Sequence, residues 1–134
     1  MVVKKIKYTD FKGNEREEEF MFHLTPAEIM EMELGTSGGF AESLQKIISS
    51  QDAPKIMEEF KKLILKSYGE VSADGKMFVK DEQLSKNFSY TNAYSKLFME
   101  LSTDDEAAAA FIKGIVPEEM ADDVDEAVLA PVTN

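Results

Sequence analysis

His23 is the single histidine of the chain, so any imidazole acid–base or metal chemistry near neutral pH would have to run through it. It lies in an extended stretch, opposite in phase to Phe20, Phe22 and Leu24, and no partner residue stands near it in the sequence. It reads as an ordinary strand residue. The run Gly35-Thr36-Ser37-Gly38-Gly39 has neither the lysine nor the spacing of a phosphate-binding loop and reads as a hinge. Asp122, Asp123, Asp125 and Glu126 lack the twelve-residue Asp/Asn–Gly–Glu order of a calcium loop. Glu58 and Glu59 are adjacent, so on a helix they diverge and cannot work as a carboxylate pair. With no cysteine, disulfides and thiolate metal sites are excluded. The residues therefore assign no catalytic, cofactor or metal site, and the expectation is a protein that is not an enzyme.

Eight methionines are the more informative residues. Methionine is unbranched and polarizable, and it adapts to varied apolar partners. Met30 and Met32 fall in a helix without a clean apolar stripe, and Leu65 and Met99 lie off the stripes of theirs. One reading makes them filler for a core wrapped from several sides. The other makes Met30, Met32, Leu65 and Met99 a candidate partner-binding surface, an apolar groove for another protein's helix.

The elements that would position these residues are legible in order. Val3 to Phe11 and Arg16 to Leu24 carry Ile6, Tyr8, Phe20, Phe22 and Leu24 with strand periodicity. The Gly13-Asn14 pair suits a two-residue hairpin turn. Lys4, Lys5 and Lys7 would then lie near Glu17, Glu18 and Glu19, a favourable cross-strand pattern. Thr25-Pro26-Ala27-Glu28 is a capping box with proline at the first helical position, opening a helix that ends by Gly35. A short helix is expected around Phe40, Leu44, Ile47 and Ile48. A longer one follows from Asp52, with the stripe Ile56, Phe60, Leu63, Ile64 and Tyr68 and a stop at Gly69. Ser72 to Gly75 is a turn between two short extended pieces, the second around Met77, Phe78 and Val79. A brief helical turn after Asp81 carries Leu84 and Phe88. Then Tyr94, Leu97, Phe98 and Leu101 form one helical stripe, capped by Ser89 or Thr91. Thr103-Asp104-Asp105-Glu106 is a second capping box, followed by Ala107 to Ala110 and a stop at Pro117. The fold class expected is α+β: a hairpin over 2–24, a helical part over 25–117 with four to six helices, the two forming one domain over 1–117. Residues 118–134, with six acids and no bases, read as an acidic mobile tail or as a helix that forms only on binding.

Composition narrows the function classes. The formal charge is −11, from 26 acids against 15 bases, which argues against binding a phosphate backbone. No run is long enough for a membrane helix, and the first residues lack the apolar core of a signal peptide. The expectation is a soluble intracellular protein with no nucleic-acid or membrane partner.

The stretch from Leu65 to Pro117 resembles the tail assembly chaperones of long-tailed, siphovirus-type bacteriophages, notably those of Gram-positive hosts. Ser67-Tyr68-Gly69, Asp74-Gly75-Lys76-Met77-Phe78, Tyr94 to Leu101 and Ala107 to Pro117 carry the likeness. The resemblance implies an acidic, mainly helical, non-enzymatic protein that takes no cofactor. It would bind and solubilise the tape measure protein and help recruit tail tube subunits, with the major tail protein and a longer, frameshifted form of itself as further partners. A homo-oligomer is compatible with it. It also implies residence in the host cytoplasm and absence from the mature virion. The alternative is a structural virion protein of the tail or the head-completion apparatus. An enzyme with an unrecognised carboxylate site and an acidic nucleic-acid mimic are the other rivals. The scatter of acids over caps, a strand and the tail speaks against the mimic.

Overall fold

The computed structural model describes residues 1–35 and 53–117. The short helix expected around Phe40 and the acidic segment from Glu118 lie outside the described residues. The fold is α+β. Strands β1 (Val2–Thr9) and β2 (Glu15–Phe22) form the expected hairpin. Helix α1 spans Pro26–Gly35, and α2 spans Ala53–Ser67. Short strands β3 (Tyr68–Val71) and β4 (Phe78–Val79) follow. Three helices close the described part: α3 (Glu82–Ser89), α4 (Asn92–Thr103) and α5 (Asp105–Ile115). The sheet runs β1-β2-β3-β4, with every neighbouring pair antiparallel.

The hairpin turn differs from the two-residue turn that Gly13-Asn14 suggests. Thr9 pairs with Glu15, and the Asp10 N–H donates to the Asn14 carbonyl at 2.9 Å. The Gly13 N–H returns to the Asp10 carbonyl, with Gly13 at φ +86°. This is the longer hairpin loop that ends in a left-handed glycine. Asp10 decides the outcome. Its carboxylate accepts from the Lys12 and Asn14 N–H groups, both at 2.9 Å, and from Arg16 Nε at 2.7 Å. That carboxylate satisfies donors a tighter turn would leave to water.

The helices begin where side chains satisfy their free N–H groups. At α1 the capping box forms in full: the Glu28 N–H donates to Thr25 Oγ1 at 3.2 Å, and the Thr25 N–H donates to Glu28 Oε1 at 2.9 Å. Asp81 caps α3 and Thr91 caps α4. The cap of α5 is Asp104, one residue later than the capping-box pattern suggests. Thr103 is still the last residue of α4, where its hydroxyl donates to the Met99 carbonyl at 2.7 Å. A single residue thus joins α4 to α5. Helix α2 ends at Ser67, earlier than its stripe implies, because Tyr68 is taken by the sheet as the partner of Phe22.

The helices cover one face of the sheet. Ile6, Phe22 and Tyr68 meet Phe60, Leu63 and Ile64 of α2, Phe88 of α3, Leu97 and Leu101 of α4, and Phe111, Ile112 and Ile115 of α5 in one buried core. Phe22 is its centre. Its ring lies 5.7 Å from Tyr68, 5.8 Å from Phe88 and 5.3 Å from Phe111. Burying one such side chain contributes about 1.5–3 kcal/mol, and well-placed ring pairs add to it. The Leu24 N–H donates to the Ile115 carbonyl at 2.6 Å, tying the end of α5 to the chain just beyond β2.

Strand β1 is an edge of the sheet, and α4 covers that edge. Asn92 Nδ2 donates to the Thr9 carbonyl at 2.8 Å, and Lys96 Nζ donates to the Lys7 carbonyl. Lys4 reaches Glu100 of the same helix at 2.9 Å.

Candidate functional site

No group of three or more histidine, cysteine, aspartate or glutamate side chains among the described residues is arranged to hold a metal ion. His23 sits on the sheet face away from the helices, its ring edge-on to Phe78 with centroids 6.3 Å apart. Its Nδ1 is buried without a hydrogen-bond partner. Burial pushes its pKa down, and the N-terminal ammonium and Lys80 push the same way against Glu28. The ring is therefore mainly neutral at pH 7 and packs against Phe78, one residue beyond the end of β2 rather than within the strand.

Among the ion pairs between described residues, Lys80 and Glu28 form the one with both side chains most sheltered, at 2.6 Å. Burial drives the Glu28 carboxyl upward, but Lys80 and the Thr25 N–H outweigh it, and its pKa lies below the ordinary value. Lys80 is held below its ordinary value, because burial and nearby Lys66 outweigh the attraction of Glu28. The Lys80 ammonium also lies 5.7 Å from the centre of the Phe78 ring. The pair pins α1 to the segment after β4. It has the character of a structural clasp.

The outer sheet face is divided. Toward the hairpin tip it is charged: Lys5 pairs with Glu17 at 3.0 Å, and Lys7 reaches the same carboxylate at 3.8 Å. At the other end it is apolar. Val3 stands opposite Met21, Met21 opposite Gly69, and Val71 opposite Phe78. A Cβ on Gly69 would meet the Phe78 ring and the Val79 carbonyl at 2.8 Å, so only glycine lets that ring lie down across the sheet. Val3 is 50% exposed and Val71 41% exposed, and no described helix covers this strip.

The methionines are the other exposed apolar surface. Met1, Met30, Met57, Met77 and Met99 are between 42% and 65% exposed, whereas among the described residues the buried core holds no methionine. Of the four residues singled out by sequence, Met30 points outward from α1 and Met99 outward from α4. Met32 and Leu65 are half-buried and pack on the core. Met99 borders a groove with Tyr8, Arg16 and Lys96, while Leu65 borders a different one between α2 and α3. Met99 and Leu65 thus border separate grooves, and Met30 and Met32 border neither. The strip of Val3, Met21, Val71 and Phe78 escaped the sequence reading. The signal for it was the second phase of each strand, the residues alternating with the core-facing set.

Compared with known proteins, residues 1–133 match a family model described as phage tail assembly chaperone. No curated protein and no solved structure matches the chain.

Proposed function

The chain belongs to the phage tail assembly chaperone family, and from that premise we propose that it binds the tape measure protein, keeps it soluble during assembly and helps recruit tail tube subunits, with no reaction of its own. The observation that carries this reading is the apolar surface left open to water, where five methionines stand exposed together with Phe11, Tyr90, Val3, Val71 and Val79. A protein that holds another chain needs adaptable apolar surface, and a net charge of −11 keeps such a surface in solution. Spread contacts suit a long helical guest coated by many copies, because multivalency turns weak individual contacts into firm binding. In the same reading the major tail protein and a longer frameshifted form are further partners. The protein acts in the host cytoplasm and is left behind when the tail is complete.

Co-expression with a tape measure fragment tests the proposal. Met30 and Met99 are exposed, so replacing both by glutamate leaves the fold intact, and the fragment should move from the soluble fraction to the pellet. Charge at Met32 and Leu65 extends the test to the half-buried pair. A fragment that stays soluble with all four replaced rules out this surface. Mass spectrometry of purified virions tests the last point: the chain in stoichiometric amount would favour a structural virion protein instead.

A further inference from the structure

The outward face of the hairpin carries a self-complementary pattern. Ile6 and Phe22 belong to the core, so the residues alternating with them point away from the helices. On β1 these are Val3, Lys5 and Lys7; on β2, in register with them, they are Met21, Glu19 and Glu17. One strand thus presents an apolar residue and then two bases, and its neighbour an apolar residue and then two acids. Val3 and all four charged residues are exposed, and Met21 is half-buried. Pairing within the hairpin uses only part of the charge. Glu17 takes both Lys5 and Lys7, while Glu19 makes no ion pair among the described residues.

We propose that a second copy of this chain docks on this face, sheet to sheet. The two-fold axis lies between the two sheets, parallel to the strands and over the gap between β1 and β2. A closed two-fold pair offers the same patch from both sides, so the patch must complement itself. Turning the hairpin about that axis lays each β1 over the partner's β2 and keeps the level along the strands. Lys5 and Lys7 then stand over the partner's Glu19 and Glu17, and Val3 over the partner's Met21. An axis directly over β1 or β2 would set lysine on lysine or glutamate on glutamate. An axis across the strands would set the charged end against the apolar end or leave it without a counterpart. Charge therefore selects one geometry. It is also the usual one for stacked sheets, about 10 Å apart with strands aligned to within roughly 30°. Strands of 8 residues, at roughly 3.3 Å per residue and 4.8 Å apart, give a footprint of about 250 Å² per copy. A standard interface covers about 800 Å² per partner, and a net charge of −11 on each copy opposes approach, so the dimer is weak and reversible.

The pairing needs no guest, so sedimentation velocity and amide NMR spectra of the full chain alone test it. The expected result is a monomer–dimer equilibrium between micromolar and millimolar protein, with concentration-dependent shifts centred on Val3, Lys5, Lys7, Glu17, Glu19 and Met21. Lys5→Glu with Lys7→Glu should weaken association about tenfold or more, and so should Glu17→Lys with Glu19→Lys. An equal mixture of the two double variants should recover it, because an all-acidic face then meets an all-basic one. If either variant fails to fold, the wild-type shifts alone decide. A monomer at every concentration overturns the proposal, whether the face is bare or covered by the chain itself. Shifts confined to the helices overturn it, as do two folded variants that stay apart when mixed. A face silent to concentration that shifts only when a tape measure fragment is added also overturns it, and assigns the face to the guest.

Discussion

Asp10 gathers the hairpin turn around one carboxylate. The Arg16 guanidinium, with the Asn14 and Lys12 N–H groups, holds its carboxyl at about 2, against an ordinary value of 3.8. The folded form therefore binds this proton less readily than the unfolded chain. The contribution of Asp10 is fully present above pH 3.8 and is lost as the pH falls through about 2. A carboxyl titration followed by NMR should find the Asp10 midpoint near 2, and Arg16→Gln should move it back toward 3.8. A midpoint already near the ordinary value would mean that the loop does not close on Asp10. At this scale the sequence was partly legible. The charged strands could be paired by inspection, but the turn was misjudged by its glycine, because Asp10's three simultaneous bonds depend on a loop shape that local propensity does not specify. His23 lies one residue beyond β2, between the buried Phe22 and Leu24, as its alternation with them implied.

At the scale of elements, the helix starts were the clearest signals and the helix ends the weakest. Thr25 and Glu28 form their box because both partners are fixed by spacing along one chain. The α4–α5 joint was displaced by one residue because Thr103 prefers the Met99 carbonyl, leaving Asp104 to take the Ala107 N–H at 3.1 Å. The two residues should separate in a stability measurement. Asp104→Ala should cost about 1 kcal/mol, as an N-cap loss does, whereas Thr103→Ala should cost a few tenths at most. Urea midpoints on the two variants check this, and equal costs would return the cap to Thr103. Helix α2 shows why ends are harder to read. Tyr68 continues the apolar period, yet its ring stacks on Phe88 at 4.4 Å and its backbone joins β2. Both partners are remote in sequence, so no local pattern could announce them.

For the whole molecule, the α+β class and the order of elements followed from periodicity, while the candidate surface followed only in part. A methionine off a helical stripe can be either exposed or turned inward, and tertiary packing alone separates Met30 from Met32. Peroxide should reveal the division. With limiting oxidant, Met30, Met57, Met77 and Met99 should become sulfoxide first, and Met32 should lag several-fold. Peptide mass spectrometry over time reads the order, and oxidation of Met32 as fast as Met30 would contradict the orientation of α1. The same exposure explains why the acidic charge matters: apolar patches that are scattered, adaptable and wet demand mutual repulsion between free copies.

The bonds from Asn92 and Lys96 to the outward carbonyls of β1 bear on how copies can accumulate. A bare border strand is a template on which a neighbour's backbone can anneal, and growth by that route ends in fibres. Here a newcomer would first have to strip away two donors already seated at Thr9 and Lys7. In the proposed coat on a filamentous guest, subunits would then meet through side chains and not through a shared sheet.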